Sequence, residues 1–137
     1  MSLPDTNSII RAYLAADTAL AALVGTRIYC PRLPENATLP AINFFTRGGT
    51  SISKVPKVVI PSIQINCWAK DPVESRKIYR AVYDVLNGLG NYECTIDGTT
   101  YYIIYTREEV QGQDIQDVDI QNLWNTMSFY SITIRNY

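Results

Sequence analysis

Histidine is absent from this chain, although acids, thiols and tyrosines are plentiful. That removes the commonest general base and the commonest metal ligand together. Asp71 and Glu74 could be taken for a catalytic carboxylate pair. The stretch Asp71-Pro72-Val73-Glu74 has a simpler explanation as the start of a helix. Aspartate is a good N-cap, proline at the first helical position loses nothing by lacking an N–H, and a glutamate three residues after the cap completes a capping box. Asp114, Asp117 and Asp119 could offer hard oxygen ligands to a calcium ion, but the EF-hand spacing and its glycine are missing. Cys67 stands beside Trp68 with no histidine to take its proton, so a packed thiol accounts for it better than a nucleophile. Gly88-Leu89-Gly90 lacks the third glycine and the preceding strand of a dinucleotide loop. Asn36-Ala37-Thr38 matches a glycosylation sequon, which carries no weight without a secretory signal. The expectation is a protein with no catalytic residues, no cofactor, no metal site and no small-molecule substrate.

Charge points instead to contacts between macromolecules. Twelve lysines and arginines stand against 13 aspartates and glutamates, and they form no clustered basic face. Sequence-specific binding of nucleic acid is therefore not expected. Two irregular-looking segments carry opposite signs. Residues 48–57, rich in glycine and serine, bring Arg47, Lys54 and Lys57 together with no acid. Residues 107–121 hold Glu108, Glu109, Asp114, Asp117 and Asp119 against one arginine. A structureless connection of about 15 residues is uncommon in a compact domain and tends to be functional or disordered. Each segment alone is explained equally well as a solvated loop. Together they suit a head-to-tail homo-oligomer, in which every subunit offers both halves of one contact.

The elements that must hold these segments follow from periodicity. From Ser62 to Cys67, Ile63, Ile65 and Cys67 alternate with Ser62, Gln64 and Asn66, the pattern of a half-buried strand. This strand begins near Val58, and Pro61 inside it implies an edge position or a bulge. The helix after Asp71 buries Ile78, Val82, Val85 and Leu89 at helical spacing. Upstream, one helix capped by Asp5 or Thr6 runs to Val24, with Ile9, Tyr13, Ala16, Leu20 and Leu23 on its stripe, and Gly25 ends it. Strands are expected over residues 26–30, 41–47, 92–96, 99–106 and 124–135. Asp97-Gly98 forms a two-residue hairpin turn between the third and fourth of these. The last strand sets Ser128, Tyr130, Ile132 and Ile134 against Met127, Phe129, Ser131 and Thr133.

The order α-β-β-β-α-β-β-β implies an α+β fold, a largely antiparallel sheet with two helices packed on one face. A chain of 137 residues, 47% hydrophobic, suits one domain over residues 1–137. No run of about 18 apolar residues could cross a bilayer as a helix, and the first residues lack the pattern of a signal peptide. Three cysteines without a CxxC pair read as reduced thiols of a protein made in a cytoplasm.

The residues Gly25-Thr26-Arg27-Ile28-Tyr29 after a helix, then Leu39-Pro40-Ala41-Ile42 leading into a strand, then Cys67-Trp68 and a helix ending Leu86-Asn87-Gly88-Leu89, resemble the tail completion or tail terminator proteins of long-tailed bacteriophages. The likeness runs from Ile9 to Leu89 and beyond that rests on strand order alone. It implies a structural virion subunit, assembled in the host bacterial cytoplasm, that forms a ring, usually a hexamer, at the head-proximal end of the tail tube. Its implied partners are other copies of itself, the major tail tube protein and the head connector or neck protein. Another neck adaptor or a ring protein of the tube is the alternative. The family carries no enzymatic motif to transfer. Contacts at Arg47, Lys54, Lys57, Glu108, Glu109, Asp114, Asp117 and Asp119 come from charge and loop length, not from the resemblance.

Overall fold

The computed structural model describes residues 5–51, 58–96, 98–116 and 123–136. Among them are three helices and six strands, in the order α1 (Thr6–Ala15), α2 (Thr18–Val24), β1 (Ile28–Tyr29), β2 (Ala41–Ser51), β3 (Val58–Ala69), α3 (Pro72–Leu86), β4 (Gly90–Ile96), β5 (Thr99–Gln116) and β6 (Trp124–Asn136). The class is α+β, with two departures from the expected order and pairing. The first concerns the N-terminal helix, which breaks in two. Asp17 accepts a hydrogen bond from the Leu20 N–H at 2.9 Å and so caps a second helix. Capping satisfies an otherwise orphaned donor, and here it wins over continuing the hydrophobic stripe. Ala16, expected inside that stripe, is exposed, while Ile9, Ile10, Leu14, Leu20 and Val24 are buried. Gly25 ends α2 as expected, at φ +60°.

The second departure is in the sheet, which is mixed. Its order is β1-β2-β3-β6-β5-β4, with β1 parallel to β2 and every other neighbouring pair antiparallel. Strand β3 is interior and not an edge. The irregularity that Pro61 foretold falls on its partner: β2 bulges between Thr46 and Gly49, opposite Pro61. Gly49 has φ +134°, and a Cβ there would lie 2.3 Å from the Ile60 carbonyl oxygen. Only glycine fits this close approach of two strands.

The alternation read from β3 and β6 holds. Ile63, Ile65, Cys67, Ser128, Tyr130, Ile132 and Ile134 are buried, while Met127, Phe129, Ser131 and Thr133 are half-buried. The buried set faces Ile78, Val82 and Leu86 of α3 and Ile9, Ile10 and Leu14 of α1 in one core cluster. Each such aliphatic side chain contributes about 1.5–3 kcal/mol by leaving water. Val85 departs from expectation, since it is only half-buried and packs at the margin, where its carbonyl accepts the Tyr13 hydroxyl at 3.0 Å. Tyr13 also meets Tyr92 of β4, ring centroids 4.6 Å apart. Because α1 touches β1, β2 and β4, the sheet curls around the helical layer.

Strand β5 corrects the largest expectation about the C-terminal half. Residues 107–116, read as part of an irregular acidic loop, continue β5 and pair with β6 as far as Gln116 opposite Trp124. The register of this pair shifts between Ile103 and Tyr105, between Glu108 and Val110 and between Val110 and Gln113. The shift between Ile103 and Tyr105 also re-aims one face. Tyr105, two residues after the buried Ile103, is half exposed, and Thr106 takes the buried position, its hydroxyl donating to the Leu86 carbonyl.

Candidate interaction surface

The polar distal half of β5 is tied down to α3 by hydrogen bonds. The Tyr79 hydroxyl donates to Glu108 Oε2 at 2.5 Å, and the Glu108 N–H donates to Asn87 Oδ1 at 3.1 Å. Ser75 Oγ lies 3.0 Å from Thr126 Oγ1, and the Thr126 hydroxyl donates to Asp114 Oδ1 at 2.8 Å. Arg76 donates to the Gly112 carbonyl at 2.8 Å and stands 3.5 Å from Asp114. That last pair is partly exposed and adds little. Gly112 is the point of closest approach, because a Cβ there would come within 2.8 Å of the Tyr79 ring. The arm formed by β5 and β6 is therefore a docked element.

Buried phenols line the underside of this arm. Burial raises the pKa of Tyr130 well above its ordinary range, and the nearby charge of Glu108 adds to this. Burial likewise raises Tyr79, and its hydrogen bond to Glu108 adds to the shift. Both keep their protons at neutral pH, so Tyr79 remains the donor. Burial also pushes the Cys67 thiol upward, far from the thiolate a nucleophile needs. Among the described residues no three His, Cys, Asp or Glu side chains cluster to hold a metal ion.

The charged residues singled out from the sequence divide among three places. Arg47 lies on the helix-free side of the sheet, its guanidinium 3.9 Å from the centre of the Phe129 ring and its Nε donating to Ser62 Oγ at 3.0 Å. Ser62 in turn donates to Glu109 Oε1 at 2.8 Å. Arg47 and Glu109, drawn from the two segments of opposite sign, are thus linked within one subunit through a serine. Glu108 and Asp114 face α3, as described above. Lys54, Lys57, Asp117 and Asp119 lie outside the described residues.

Two surfaces escaped the sequence reading. On the helix-free side, Trp68 donates to Asn43 Oδ1 at 2.6 Å, and Asn66 Oδ1 accepts from Gln64 and Asn125, each at 3.3 Å. The second is the outer side of α3, where Val73 is 79% exposed amid Arg76, Lys77 and Arg80. A groove of about 510 Å³ runs there, lined by Pro72, Val73, Arg76, Lys77, Arg80 and Asp114. Its signal in the sequence is three cations at helical positions i, i+1 and i+4, with a valine one turn before the second.

The family model described as Tail completion protein gp17 matches residues 9–99. No curated protein matches the chain. Among solved structures, a chain of the "Virion of native gene transfer agent (GTA) particle" is similar, with a TM-score of 0.66 and 16% identity over 92% of this chain and 91% of that one. At that identity the likeness is one of fold.

Proposed function

We propose that this chain, which belongs to the tail completion protein gp17 family, forms a ring on the head-proximal end of a finished tail tube, stops further subunit addition and joins the tail to the head. The family match is the observation that carries the reading, since it assigns a structural protein of the phage tail. The likeness of fold to a chain of a gene transfer agent virion agrees with a structural role in a particle. The subunit is made in the host cytoplasm and carried in the virion. Its partners are further copies of itself, six in the usual ring, together with the tail tube protein and a neck or connector protein. The role is one of assembly and not of catalysis.

A ring of this kind needs a heterologous contact that closes on itself. Two sequence segments of opposite sign would supply it, one with Arg47, Lys54 and Lys57 and one with Glu108, Glu109, Asp114, Asp117 and Asp119, although Arg47, Glu108, Glu109 and Asp114 also have partners within their own subunit. Exposed pairs are screened beyond about 8 Å at physiological ionic strength, so ring formation weakens as salt rises, by native mass measurement. The wider test removes the gene and images the tails. Tubes of irregular length that fail to join heads support the reading. Tubes of normal, uniform length already attached to heads would remove it.

A further inference from the structure

Strand β5 changes its support halfway along. Up to Tyr105 it lies between β6 and β4, the last β4 pairing being Gly90 opposite Tyr105. Beyond that point the end of α3 takes the place of β4: the Thr106 backbone bonds to Gly88 and Leu89, and the Glu108 N–H to Asn87. In the first half Tyr101, Ile103 and Thr106 are buried. From Arg107 to Gln116 no residue is buried, and Val110 is 47% exposed. The ladder to β6 slips twice in this second half. What holds it to α3 is polar: Tyr79 and Asn87 on Glu108, and Arg76 on Gly112 and Asp114. Asp114 is held again by Thr126 of β6. Segments with little buried apolar area and exposed hydrogen bonds open at a fraction of the global unfolding free energy.

Resting on the ring reading, we infer that residues 107–116 form an autoinhibitory strap, closed on α3 in the free subunit and lifted when a second copy docks. Glu108 and Asp114 belong to the acidic segment that the ring contact draws on. In the closed form both are bound within their own subunit. Lifting the strap breaks the bonds from Tyr79, Asn87, Arg76 and Thr126 together and turns both carboxylates toward a neighbour. A neighbour's cations must therefore compete with partners already in place, which holds free subunits apart. Closure is tightest at Gly112, where a Cβ would stand 2.8 Å from the Tyr79 ring and 2.9 Å from the Thr126 methyl. The backbone there is not left-handed, so alanine at this position acts as a wedge and not through strain.

The experiment follows amide hydrogen exchange residue by residue, and native mass across a concentration series, in wild type and two variants. Tyr79→Phe removes the hydroxyl on Glu108 and keeps the ring, while Gly112→Ala puts a methyl against that ring. In wild type the amides of residues 108–116 exchange at least about tenfold faster than those of residues 63–67 in β3, and independently of mild denaturant. Each variant speeds strap exchange by about tenfold more, the factor that one hydrogen bond to a charged group supplies. Each also leaves β3 exchange unchanged and lowers the concentration needed for assembly. Ile65→Val, a core change in β3, moves neither strap exchange nor assembly. Strap amides that exchange only together with β3 overturn the inference, as does a control that promotes assembly as much as the two variants. Variants that open the strap yet assemble no more readily than a ring-forming wild type overturn it too and leave the ring reading standing. If wild type and both variants stay monomeric at every concentration, the ring reading falls, and the autoinhibition with it.

Discussion

Val82 shows how a single position carries the fold. It has no exposed surface and sits in the cluster with Ile65, Cys67 and Tyr130. Val82→Asp would bury a carboxylate with no partner, a cost of several kcal/mol (about 3–5). Loss of the cooperative melting transition, or a large fall in its midpoint, is the expected result by thermal denaturation. A wild-type midpoint would mean that the inward face of α3 has been misassigned. Glycine acts at the same scale by absence. At Gly49 and Gly112 it is the missing Cβ that lets a strand or a tyrosine ring approach, and neither role is visible in hydrophobic periodicity.

At the scale of elements, the acidic half of β5 separates two physical accounts. A solvated loop would tolerate charge reversal at Glu108 and Glu109 equally. In the structure Glu108 accepts the Tyr79 hydroxyl, and its own N–H is held by Asn87. A hydrogen bond to a charged group is worth about 1.5–3 kcal/mol. Glu108→Lys is therefore expected to lower stability to chemical denaturation by about that much. Glu109→Lys, whose partner is the exposed Ser62 hydroxyl, should move it by only about 0.5 kcal/mol. Equal small effects would mean that the arm is not docked on α3. The effect of Glu108 on assembly must then be read after its effect on folding is subtracted. Break points follow the same logic, since Asp17 ends one helix by capping the next, and a cap signal inside an apolar run is easily overlooked.

For the molecule as a whole, burial of acids that prefer to stay neutral sets a pH limit. Cys67, Tyr79 and Tyr130 all have folded pKa values raised, burial being the first cause in each case. The unfolded chain releases its thiol proton near about pH 8.5 and its phenol protons near about pH 10. In that range the unfolded state binds fewer protons than the folded one, so stability falls as pH rises. Denaturation midpoints should hold between about pH 7 and 8 and drop steadily toward about pH 11. A midpoint independent of pH up to about 11 would contradict the burial of these groups.

Local rules in the sequence determined much of this protein: the alternation of β3 and β6, the capped helix at Asp71 and the stop at Gly25. Each depends on neighbours a few residues apart, where period and capping chemistry decide the conformation. Only tertiary structure decided whether residues 107–116 would be loop or strand. Their composition lacks an apolar stripe, and they remain in the sheet because β6 on one side and Arg76, Tyr79 and Asn87 of α3 and its cap on the other satisfy their polar groups. Tertiary structure likewise decided that Arg47 would meet Ser62 and Phe129 and that the cations of α3 would gather around an exposed valine. Such pairings join residues far apart in the chain, and the period of one element says nothing about which neighbour will stand opposite it.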